Sequence, residues 1–158
     1  MKTQYFIILL AFTQTLAAQG PNSSINSDNH KNEIGIANSP LYIIKEKEFA
    51  YGLHAHYIRS LKETKFGIGV GYERIFDEHK HNTIGVIINY APIEHLALSL
   101  SPGITFNDNN ASDLHFGLHL EALYEFEIGI FHIGPVAGFA YAVEDYHVSL
   151  GLHLGFGF

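Results

Sequence analysis

The chain has 158 residues with 15 Gly, 12 Phe and 9 Tyr, no Cys, and 9 Lys plus Arg against 16 Asp plus Glu, for a formal net charge of −7. That length suits one domain, the missing cysteine excludes disulfides and a lipid-modified N-terminal cysteine, and the acidic balance argues against nucleic acid as a partner. Residues 1–18 read as a secretory signal peptide: Lys2 precedes the apolar run YFIILLAF, and the small residues of TLAAQ place cleavage after Ala17 or Ala18. The run is too short to cross a bilayer as a helix. Its removal takes Lys2 away and leaves 140 residues with 8 basic and 16 acidic side chains, a balance of −8. Residues 19–32, QGPNSSINSDNHKN, are polar and without apolar period, and read as a flexible lead.

From Glu33 to Phe158 the spacing predicts eight period-2 segments joined by brief turn-like clusters. The first, EIGIAN, is interrupted by Pro40 before LYII. FAYGLHAHYIRS (49–60), KFGIGVGYERIF (65–76), NTIGVIINY (82–90) and HLALSLSPGITF (95–106) follow. The last three are DLHFGLHLEALYEFE (113–127), GIFHIGPVAGFAYAV (129–143) and YHVSLGLHLGFGF (146–158). Connections alternate in character: SPLYIIKEKE, DEHKHN, NDNNAS and EDY are charged or Asn-rich, whereas LKET, APIE and EI are short. Neighbours joined by brief links fit an up-and-down meander.

Each segment separates into two faces, because successive side chains of a strand point to opposite sides. In the last one Phe158, Phe156, Leu154, Leu152, Leu150, Val148 and Tyr146 share a side, opposite Gly157, Gly155, His153, Gly151, Ser149 and His147. The apolar face meets either lipid or the core of a soluble, lipocalin-like barrel. A soluble barrel would put the other face in water, yet that face is Gly, His and Ser with a few Glu, and glycine packs nothing in an exposed strand. Turned inward, small and polar residues suit the narrow bore of an eight-stranded barrel. The apolar face then meets hydrocarbon, where Lys or Arg costs roughly 2–4 kcal/mol at midplane. Aromatics towards strand ends, such as Phe49, Phe66, Tyr90, Phe131 and Tyr141, match the rings favoured at membrane interfaces.

In this pattern the segment 33–158 resembles the small outer-membrane β-barrels of Gram-negative bacteria, of the OmpX and OmpA-barrel type. The resemblance implies an all-β, eight-stranded antiparallel up-and-down transmembrane barrel. It implies outer-membrane lipid as its surroundings and a monomeric, non-enzymatic protein, structural or small-ligand-binding. In that family a terminal aromatic with alternating apolar residues behind it is read by the barrel-assembly machinery. Here those residues are Phe158, Phe156, Leu154, Leu152 and Leu150.

Of 11 His, the alternation turns eight inward: His54, His56, His95, His115, His119, His132, His147 and His153. Neutral imidazole is a frequent transition-metal ligand. Strands two and six lie opposite each other in an eight-stranded barrel, so His54 and His56 face His119 and Glu121, a candidate metal set. The simpler reading, which the residues favour, needs no cofactor: His and Glu satisfy one another and plug the bore. A second candidate chemistry lies in EDYHVS. Barrels resembling lipid A deacylases and acyltransferases use His, Ser and an acid in ester chemistry, and Glu144, Asp145, His147 and Ser149 supply those types. Here alternation puts His147 and Ser149 inside, away from a lipid substrate.

Overall fold

The computed structural model describes residues 30–78, 80–108, 110–142 and 146–158. The predicted signal peptide, residues 19–29 of the predicted lead, His79, Glu144 and Asp145 lie outside the described residues. The strands are β1 (Asn32–Ile43), β2 (Glu48–Ser60), β3 (Phe66–Ile75), β4 (His81–Ile93), β5 (Leu96–Asn107), β6 (Asn110–Tyr124), β7 (Phe126–Ile128), β8 (Phe131–Ala142) and β9 (Tyr146–Gly157). All pair antiparallel with their chain neighbours except β6 with β7; β1 pairs with β9 and β6 with β8, which closes the wall. β6 and β7 meet β8 in one unbroken register, Leu123 opposite Val136 and Phe126 opposite Ile133, so they form a single stave and the barrel has eight. Non-glycine residues take positive φ at Lys47, Glu63, Lys80 and His95, in the tight connections between hairpin strands.

Prolines set the interruptions. The β6–β7 break lies beside Pro135, which offers no N–H to the ladder. Here the walls also approach closely, and a Cβ on Gly134 would stand 1.9 Å from the Tyr124 carbonyl oxygen. Pro40 behaves alike. The sequence breaks the first segment there, but β1 runs through it: Pro40 stays in register with Tyr51 of β2, and only the β9 side loses its pairs between Asn38 and Leu41. The predicted long connection SPLYIIKEKE therefore shrinks to residues 44–47. A proline facing outward costs the ladder a donor on one side without ending the strand.

The faces fall as the alternation requires. Leu150, Leu152, Leu154 and Phe156 are exposed on the outer wall, while His153 between them is 1% exposed. Ile34, Ile36, Val70, Ile84, Val86, Ile104, Phe116 and Phe139 are likewise exposed around the circumference. A soluble barrel carries such residues inside, so the lipocalin-like alternative fails on the direction of the side chains. The bore holds a smaller apolar cluster of Leu41, Ile43 and Ile75, against which Ala50 packs, at the end opposite Asn32 and Phe158. Asn32 and Phe158 clasp each other through two backbone hydrogen bonds of 2.9 Å, so the last residue of the predicted lead already belongs to the wall.

Candidate functional site

Polar side chains occupy the bore in tiers. In the middle, His54 of β2 reaches across to β6 and its Nδ1–H donates to Glu121 Oε1 at 3.1 Å, while His119 Nε2 of β6 lies 3.3 Å from Glu73 Oε2 of β3. Strands two and six do face each other, as the sequence indicates. Toward the end where Asn32 and Phe158 meet, His56 Nε2–H donates to Glu33 Oε1 at 3.3 Å, and His153 Nε2 lies 3.4 Å from His56 Nε2 and 3.5 Å from Glu33 Oε1. Beside them His132 Nδ1 stands 3.2 Å from Glu33 Oε2 and 3.4 Å from Glu125 Oε2. Every one of the four carboxylates Glu33, Glu73, Glu121 and Glu125 thus has an imidazole nitrogen within 3.4 Å. Such pairing offsets the cost of taking the charges out of water.

The predicted metal set is divided by this arrangement. His54 and Glu121 bond to each other, His119 turns to Glu73, and His56 turns away to Glu33. Among the described residues, two groups bring three ligand atoms within 4.8 Å of one another: Glu33 with His56 and His153, and Glu33 with Glu125 and His132. His95, predicted inward, is instead a turn residue with φ 67° whose ring stacks near Phe126. The sequence alone marks Glu33 only as the start of the barrel. The signal that finds it is closure: β1 lies between β2 and β9, so its first inward carboxylate is a neighbour of inward histidines on both.

At the opposite end, Thr83 and Thr105 share a hydrogen bond of 2.9 Å and line a cavity of about 50 Å³ with His81, His115, His119 and His147. Ligand sites for drug-sized molecules occupy roughly 300–1,000 Å³. Of the EDYHVS candidates, His147 and Ser149 are described, and both are half-buried inside the barrel. The rim above is tied by charge. Arg74 Nη2–H donates to Asp108 Oδ2 at 2.7 Å, and the Asn82 side-chain amide donates to Asp108 Oδ1 at 2.8 Å and accepts from the Tyr72 hydroxyl at 2.6 Å. The hydrogen bonds from Asn82 and then Arg74 hold the Asp108 carboxyl below its ordinary range. At Asp77 burial acts upward, but the bonds from the His81 ring and backbone together outweigh it, and this carboxyl too is lowered.

No protein-family model and no curated protein matches the chain. Among solved structures it is similar to Neisserial surface protein A, at a TM-score of 0.60 and 12% identity over 80% of this chain and 96% of that one. A de novo designed transmembrane β-barrel aligns at 0.58 and 12% identity, covering 81% and 98%. Ail, the attachment invasion locus protein of Yersinia pestis, aligns at 0.51 and 14% identity, covering 80% and 96%. At such identities the likeness is one of fold. Closed wall, outward apolar face and these neighbours agree: the chain has the fold of the small eight-stranded outer-membrane β-barrels.

Proposed function

We propose that the protein is an integral outer-membrane barrel, non-enzymatic, whose bore is filled by a His/Glu network and which serves a structural or small-ligand-binding role. The observation that carries this reading is the inversion of the faces, with a continuous exposed apolar wall around a polar, packed interior. Such a wall is tolerable only in lipid. A non-enzymatic role draws support from the position of His147 and Ser149 inside the barrel, beside a cavity of about 50 Å³ that has no room for an acyl chain. The proposed surroundings are outer-membrane lipid, entered as a monomer through the barrel-assembly machinery.

Cell fractionation tests the location: the chain should stay with outer membranes through salt and carbonate washing, and release into the soluble fraction would refute the proposal. Lipid A mass spectra tell the two functions apart. Cells expressing the protein should give the same spectrum as cells expressing Ser149→Ala, whereas a change in acyl content that depends on Ser149 would establish an enzyme.

A further inference from the structure

We infer that Glu33, His56 and His153 form a binding site for one divalent transition-metal ion, zinc by preference, at the end of the bore where Asn32 and Phe158 meet. The inference deepens the ligand-binding half of the proposed function, and its failure would leave the location, which fractionation decides, untouched.

The donor geometry comes first. Glu33 Oε1, His56 Nε2 and His153 Nε2 form a triangle with edges of 3.3, 3.4 and 3.5 Å. Bonds of about 2.0–2.2 Å in a tetrahedral zinc site place neighbouring donors about 3.3–3.6 Å apart, whereas an octahedral arrangement of the same bonds would bring them to about 2.8–3.1 Å. Hydrogen bonding accounts less well for the same triangle. One proton on His56 Nε2 can serve Glu33, but 3.4 Å is long for the remaining nitrogen–nitrogen contact. A cation in the middle satisfies all three at once. Two imidazoles and a carboxylate are a zinc donor set of the open kind, with the fourth position left to water. A cavity of about 20 Å³ adjoins Glu33, His56 and His153, enough for a single water molecule.

The rings of His56 and His153 lie 4° from parallel with centroids 5.1 Å apart. They lean together over Gly35, where an added Cβ would lie 2.4 Å from both Nε2 atoms. Only glycine at this place on β1 leaves the space between the nitrogens open. An independent observation concerns His132. Its side chain is 10% exposed, and Nδ1 lies between two carboxylates, 3.2 Å from Glu33 Oε2 and 3.4 Å from Glu125 Oε2. This imidazole stands against the second oxygen of Glu33, the position from which an outer partner orients a ligating carboxylate. Glu33 is the second residue of β1, so an ion has a short path from the mouth.

Tag-free protein in detergent, stripped with chelator and then equilibrated with zinc sulfate against a chromophoric competitor, should retain one zinc per chain. The paired variant His56→Asn with His153→Asn should lose more than about 100-fold in affinity, beyond the roughly 10- to 100-fold that loss of an outer partner costs. His132→Asn should fall within that smaller range. The pair His54→Asn with His119→Asn should bind as wild type. Cobalt(II) gives a reading on the unaltered chain that needs no variant to fold: strong visible absorption of a four-coordinate ion is expected. No retained zinc, undiminished binding in the His56/His153 variant, loss in the His54/His119 variant instead, or only the weak spectrum of six-coordinate cobalt would each overturn the assignment.

Discussion

Leu152 and His153 are adjacent in sequence and meet opposite surroundings, one on the lipid wall and the other 1% exposed in the bore. Leu152→Arg should therefore cost roughly 2–4 kcal/mol, the penalty for a basic side chain near the midplane, and a fall in the folded fraction in urea titrations on lipid vesicles would register it. The rim aspartates give a pH dependence of known sign. Because Asp77 and Asp108 ionise below their ordinary value of 3.8, the folded rim binds fewer protons than the unfolded chain there. Their stabilisation is complete above that value and is lost as pH falls through the depressed ones. Amide exchange in the β3–β4 connection and at Asp108 should accelerate in that acid window while the middle of the barrel stays protected, and Asp77→Asn should remove the dependence in the β3–β4 connection. At this scale the sequence was informative about direction and poor about pairing. Alternation told which way His54, His56, His119, His132 and His153 point. Which carboxylate each one meets depends on the stagger between strands, which no single strand encodes.

Among strands, the in-chain prolines account for what periodicity misread. Pro40, Pro102 and Pro135 each stand in a strand and leave one flank of the ladder unpaired, while the register resumes unchanged beyond them. Pro92 instead coincides with a shift in register between Tyr90 and Ile93. Taken as a breaker, Pro40 ended the first segment too early, because the usual rule concerns a strand that needs both flanks. The other seven segments were legible because charged, Asn-rich or turn-like clusters mark their ends. Pro135→Ala should be tolerated to within about 1 kcal/mol, the regained hydrogen bond being balanced by the greater freedom of the unfolded chain. Gly134→Val next to it should fail, since its side chain would enter the Tyr124 carbonyl, and folded yield on vesicles distinguishes the two.

Over the whole molecule, eight staves without a free edge leave no strand to template aggregation, and closure rests on the seam between β1 and β9. That architecture was readable in advance because a wall that is apolar outside and small or polar inside admits few other solutions. The bore's chemistry was not, since it needs side chains from β1, β2, β8 and β9 placed at one height. The clasp of Asn32 with Phe158 has a consequence for the order in which the chain can be written. With these two residues touching, a short linker could join them and new ends could be opened between β3 and β4, giving a circular permutant with the same wall. Such a chain would keep Phe158 in the seam while removing it from the terminal position that the family resemblance implies is read during assembly. In detergent the permutant should refold with an unfolding midpoint close to that of the parent, while in cells it should accumulate unassembled, and efficient assembly in both settings would show that the seam alone suffices.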